Sequence, residues 1–172
     1  MKDALYRAVL PHVRRCVWVF SDLQQGDPVN ARACMETALA DYRALGAPAE
    51  RIWYLGDSVE GTELAYLQEM AQMQGEGFGS LGIPLTYVLG NHDLQYMRAA
   101  HEPVAPFYQL VQRTPGWHTS ARFSDLYFTE TLGDLTVFFL SDHAAEDASW
   151  CTTNGRIYGD AARYPYTQAD AD

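Results

Sequence analysis

Leu85-Thr86-Tyr87-Val88-Leu89-Gly90-Asn91-His92-Asp93 reads as a core strand that runs straight into a polar loop. The run Leu85 to Leu89 has the length and the β-branched and aromatic content of a buried strand, and Gly90 breaks it. An amide, an imidazole and a carboxylate follow at consecutive positions. Open α/β sheets place their chemistry outside the carboxyl ends of strands, and this trio offers a ligand, a proton carrier and an orienting partner there.

Upstream, the same plan occurs twice more. Cys16-Val17-Trp18-Val19-Phe20 suits a strand buried on both faces and exits at Ser21-Asp22-Leu23-Gln24. After Gly26-Asp27-Pro28, a helix carries Met35, Ala38, Leu39, Tyr42 and Leu45 on one face, and Gly46 and Pro48 stop it. Ile52-Trp53-Tyr54-Leu55 is the next strand and Gly56-Asp57-Ser58-Val59-Glu60 its exit loop. Leu64, Leu67, Met70 and Ala71 mark a second helix, and Gly75, Gly77, Gly79 and Gly82 read as the loop after it. Asp22, Asp57 and Asn91 are spaced by 35 and 34 residues, about one strand-helix unit each, so parallel pairing predicts all three on one sheet edge.

Downstream, Tyr96 to Ala100 and Val104 to Val111 read as helices, with Tyr54, Tyr96, Tyr108 and Trp53 as aromatics that either fill the core or stack on a nucleotide. Core is the favoured reading for Trp53. Leu126 to Leu132 and Leu135 to Leu140 are β-rich runs joined by Gly133-Asp134, which suits a type II′ hairpin. Ser141 to Asp172 has no periodic apolar face and reads as irregular. Residues 1–172 read as a single domain; Thr167-Gln168-Ala169-Asp170 has the composition of a helix start with no helix after it, which suits either a domain incomplete at its C-terminus or an acidic tail in solvent.

Composition sets the class. A 172-residue chain that is 48% hydrophobic and 20% charged suits one globular domain. With 22 acidic against 12 basic side chains, the surface repels nucleic acid and anionic membranes, and a phosphorylated substrate would need bound cations. No leader peptide or membrane span is evident, and Cys16, Cys34 and Cys151 are too few and too scattered for a disulfide framework, so a cytoplasmic location is expected.

Asp22, Asp57 and Asn91, with Gln24, are hard oxygen donors that suit Mn²⁺ or Mg²⁺ and could hold Fe or Zn beside nitrogen ligands. Two cations sharing a carboxylate activate a water for in-line attack at phosphorus, and His92 would protonate the departing alkoxide. A lone Gly-Asp after a strand is also a common turn or helix cap. Three polar exits in matched order carry the argument.

The three loops resemble the calcineurin-like metallophosphoesterase superfamily, whose pattern of Asp-x-His, Gly-Asp-x-x-(Asp or Asn) and Gly-Asn-His-(Asp or Glu) looks like Asp22-Leu23-Gln24, Gly56 to Glu60 and Gly90 to Asp93, the last of them matching in full. The resemblance spans residues 16 to about 140, including the strand end Phe138-Phe139-Leu140-Ser141-Asp142. It implies an α/β fold in which two mixed sheets form a β-sandwich flanked by helices. It further implies that Asp22 binds a first metal, Asp57 bridges two, Asn91 binds the second, and Asp93 orients His92 as proton donor. Gln24 replaces the usual histidine, which favours an oxygen-preferring ion such as Mn²⁺, and Glu60 replaces Asp or Asn. The family's downstream histidine and Gly-His-x-His motif have no counterpart between Leu140 and Asp172, where His143 reads as a loop residue. The implied activity is hydrolysis of a phosphomonoester, phosphodiester or nucleotide pyrophosphate, on a small phosphorylated or nucleotide substrate. A catalytically silent scaffold of the same fold is the alternative.

Overall fold

The three apolar runs of the N-terminal half become parallel neighbours. A computed structural model describes residues 4, 8–46, 49–60, 63–100, 104–125 and 127–140. Strands β1 (Val17–Phe20), β2 (Arg51–Tyr54), β3 (Leu85–Tyr87) and β4 (Trp117–His118) pair in that order, each pair parallel. Register aligns Trp18, Ile52, Leu85 and Trp117 in one row and Val19, Trp53, Thr86 and His118 in the next. Side chains alternate along a strand, so the first row shares a face with Phe20, Tyr54 and Tyr87, and the second row lies on the opposite face.

The first face carries the helices. Helix α1 (Pro28–Leu45) starts where the Asp27 carboxylate accepts from the Val29 N–H at 2.9 Å and ends at Gly46, whose φ of +61° closes the last turn. Its Tyr42 stacks on Trp18 at 4.6 Å. Helix α2 (Leu64–Gly79) turns Leu67, Met70, Met73 and Phe78 inward, and Phe78 meets the rings of Trp18, Phe20 and Tyr54. After α3 (Gln95–Ala100), helix α4 (Pro106–Arg113) brings Phe107 against Tyr87 at 5.8 Å. These residues form one continuous apolar core.

The opposite face meets an antiparallel hairpin, β5 (Tyr127–Leu132) and β6 (Leu135–Leu140). Only Gly133 of its turn has positive φ, as a type II′ turn requires. Phe139 packs edge-on against Trp53 at 5.5 Å. Arg51 Nε donates to Glu130 Oε1 at 2.7 Å, and Thr86 Oγ1 donates to the other oxygen of that carboxylate. The chain is thus a mixed α/β protein with a parallel sheet between helices and a hairpin.

Several local readings change. Gly75, Gly77 and Gly79 lie inside α2 instead of in a loop. A Cβ on Gly77 would stand 2.5 Å from Met35 Sδ, and one on Gly75 would stand 2.8 Å from Thr114 Cγ2, so these glycines let the helix pack closely at a cost in propensity. Among the described residues strand β1 stands at the edge of the sheet, with Val19 48% exposed, so it is not buried on both faces there. Strand β4 is two residues long, too short to leave a period in the sequence. Leu126, Asp142, His143 and Thr167 to Asp170, with the expected C-terminal incompleteness, lie outside the described residues.

Candidate active site

The exits of β1, β2 and β3 are fastened side by side. The Asp22 N–H donates to the Gly56 carbonyl at 3.1 Å and the Gln24 N–H to the Asp57 carbonyl at 3.0 Å, joining the first loop to the second. The His92 N–H donates to Asp57 Oδ1 at 2.9 Å, joining the second to the third. Asp22, Gln24, Asp57, Asn91 and His92 therefore share the carboxyl edge of the sheet. Asp22 and Asp57 both take the left-handed backbone conformation, with φ of +60° and +56°. Aspartate and asparagine tolerate that region best among residues with a side chain, yet it still costs energy, and such strain collects at functional sites.

The two motif glycines explain themselves in space. Gly56 has φ +86°, and a Cβ there would fall 2.3 Å from the Gly90 nitrogen. A Cβ on Gly90 would fall 2.1 Å from Asp57 Oδ1 and 2.5 Å from the Asp57 nitrogen. Only two facing glycines let the second and third loops touch.

Asp93 does a different job from the one the resemblance implies. Fully buried, its carboxylate accepts from the N–H groups of Ser58 (2.8 Å), Val59 (3.3 Å), Asp57 (3.1 Å) and Gly90 (2.8 Å) and from the Tyr87 hydroxyl (2.7 Å). It pins the Asp57 loop to its own. Burial pushes its pKa up to about 6 against the pull of the Gly90 N–H, the Tyr87 hydroxyl and the Ser58 N–H, while the Asp57 charge adds to the rise. Burial likewise holds the Tyr54 and Tyr87 hydroxyls well above the usual phenol range.

The His92 ring is met by other groups. Gln95 Nε2 lies 2.7 Å from Nδ1, and Glu60 Oε1 lies 3.8 Å from the same atom. Two further residues that the sequence does not single out brace the Asp57 loop. Buried Gln74 of α2 accepts from Ser58 Oγ and donates to the Ser58 carbonyl at 2.9 Å. Tyr66 donates its hydroxyl to the Gln25 carbonyl and accepts from the Glu60 N–H at 3.3 Å, bridging the first two loops. The one usable signal was for Gln95, which stands three residues after His92 and so on the same side of a tight turn.

The donors fit a hard divalent cation. Among the described residues no group of three or more His, Cys, Asp or Glu side chains is placed to hold a metal. The candidate set instead combines the carboxylates of Asp22 and Asp57 with the amides of Gln24 and Asn91, all of them able to offer oxygen to Mn²⁺ or Mg²⁺. The aromatics considered as nucleotide platforms are mostly core: Tyr54 and Tyr108 are buried, and Trp53 packs on Phe139.

Fold and site together define the class: an α/β protein with an oxygen-rich centre at the carboxyl edge of a parallel sheet. A family model described as calcineurin-like phosphoesterase matches residues 17–162, and the chain belongs to that family. Its members are in general metal-dependent phosphoester hydrolases. A comparison with curated proteins gives no match. Among the described residues no helix is long and apolar enough to cross a membrane.

Proposed function

We propose that the protein hydrolyses a phosphomonoester, phosphodiester or nucleotide pyrophosphate bond of a small substrate in the cytoplasm, using two divalent ions, manganese first among them. The observation that supports this reading most is the fastening of Asp22, Asp57 and Asn91-His92 at one sheet edge, by backbone hydrogen bonds between the first two loops and by the His92 N–H on the Asp57 carboxylate. Asp22, Gln24, Asp57 and Asn91 are the residues that would hold the ions. Divalent ions in such a set supply Lewis-acid charge and an activated water. His92 gives a proton to the leaving alkoxide, and Asp93 keeps the Asp57 loop and the His92 loop in register. The hairpin, in this reading, begins the second sheet of a face-to-face pair.

The test is turnover of phosphodiesters in Mn²⁺ by the wild type, Asp57→Asn and His92→Ala. Asparagine accepts the left-handed backbone at position 57, so that variant removes charge with little strain. Asp57→Asn should lose metal-dependent turnover, and His92→Ala should lose about 10²- to 10⁴-fold on alkyl leaving groups. Absence of metal-dependent turnover in the wild type on phosphomonoester, phosphodiester and pyrophosphate substrates refutes the reading.

A further inference from the structure

Which nitrogen of His92 carries the ring proton decides what the side chain can donate, and a residue outside the three loop motifs governs that choice. Residues His92–Leu94 form a single 3₁₀ turn, in which side chains three apart eclipse. Gln95 is the residue three on from His92. Its backbone N–H donates to the His92 carbonyl, and its Nε2 lies 2.7 Å from His92 Nδ1, so one residue grips both the main chain and the ring. An amide N–H can only donate, so this contact is a hydrogen bond when Nδ1 accepts, the arrangement in which the proton of the neutral ring is on Nε2.

Glu60 offers the competing arrangement. A carboxylate at Nδ1 would accept a proton from it and leave Nε2 bare. Its Oε1 stands 3.8 Å away, beyond hydrogen-bond distance, on a side chain 48% exposed. The His92 side chain is only 25% exposed, and the shorter contact is the one made by Gln95.

We propose that Gln95 is a positioning residue: by occupying the Nδ1 lone pair it fixes His92 in the tautomer whose only N–H is on Nε2. The value of that tautomer as a proton donor rests on the hydrolase reading above, whereas the location of the proton does not.

The experiment is long-range ¹H–¹⁵N NMR of the imidazole rings of the full chain, metal-free in EDTA, at about pH 8.5 where an ordinary imidazole is neutral. The His92 signals are assigned with His92→Ala. The wild type should show Nδ1 unprotonated and Nε2 protonated. Gln95→Met, similar in length but without a donor, should give a mixture, and Gln95→Glu, an acceptor, should move the proton to Nδ1. The two variants are expected to differ from the wild type in distinct ways, which loss of folding would not produce. A wild-type proton on Nδ1, or one distribution in all three proteins, overturns the proposal.

Kinetics in Mn²⁺ form the second arm. Gln95→Met should lower kcat on an alkyl phosphodiester by about 10- to 100-fold, with KM and the rate on a p-nitrophenyl ester changed far less. Equal losses on both esters overturn the positioning role. The expected NMR pattern in a wild type without turnover supports the ring assignment and refutes the hydrolase reading alone.

Discussion

Alanine at Gly90 tests whether contact between two loops, and no single side chain, holds the centre together. The new methyl would stand 2.5 Å from the Asp57 nitrogen and 2.1 Å from Asp57 Oδ1. Both distances are about 1 Å or more short of ordinary van der Waals contact. Rotation of the Asp57 carboxylate relieves only the second clash. The first is with backbone that Asp93 fixes through the N–H groups of Asp57, Ser58 and Val59, so the loops must separate. Overpacking of this kind costs about 1–3 kcal/mol, and weakening the His92 N–H to Asp57 bond adds about 1.5 kcal/mol or more, since it ends on a charged group. The expected loss is about 2.5–4.5 kcal/mol in urea unfolding followed by tryptophan fluorescence. Turnover in Mn²⁺ should fall about 10²-fold, because an ångström of misplacement at a reacting centre has that effect. Gly79→Ala is the control. A Cβ there meets nothing within 4 Å, and alanine in a helix should be neutral or stabilising by up to about 1 kcal/mol. A Gly90→Ala protein within about 0.5 kcal/mol of the wild type, with unchanged turnover, refutes the reasoning.

Gln74→Leu removes the partner of both the Ser58 hydroxyl and the Ser58 carbonyl and should cost about 2–4 kcal/mol by denaturant titration, while the same change at exposed Gln72 should cost under about 0.5 kcal/mol. Glu130→Gln places an amide N–H toward either Arg51 Nε or the Thr86 hydroxyl, and thermal unfolding should register a loss of about 1 kcal/mol, as expected if this carboxylate ties the hairpin to the sheet. Asp57→Asn should leave the melting temperature within a few degrees of the wild type in EDTA and abolish the rise produced by Mn²⁺, which differential scanning fluorimetry reads directly. A Mn²⁺-dependent rise that survives in this variant would remove Asp57 from the ligand set.

Much of the architecture was legible because it is written in local periods. Strands at Val17–Phe20, Arg51–Tyr54 and Leu85–Tyr87, the hairpin with its Gly133 turn, and a helix between Asp27 and Gly46 all follow from apolar spacing and cap residues. The order of polar exits then placed Asp22, Asp57 and Asn91 on one edge. The misreadings share a cause. Gly75, Gly77 and Gly79 carry a loop's local signature, and what Gly75 and Gly77 gain inside a helix is close contact with Thr114 and Met35, about 40 residues away in either direction. The position of β1 at the edge of the described sheet and the existence of β4 depend likewise on partners that no window of sequence contains.

At the site the same division holds. The sequence by itself determined which donors leave each strand: a carboxylate after β1, a carboxylate after β2, an amide and an imidazole after β3. Tertiary structure alone decided whom each one serves. Asp93 follows His92 in the chain, yet its carboxylate is turned inward to four backbone N–H groups and the Tyr87 hydroxyl, while Gln95 takes the ring. The physical reason is that a buried carboxylate must be satisfied where donors converge. Here they converge because two glycines, 34 residues apart, allow the loops to touch.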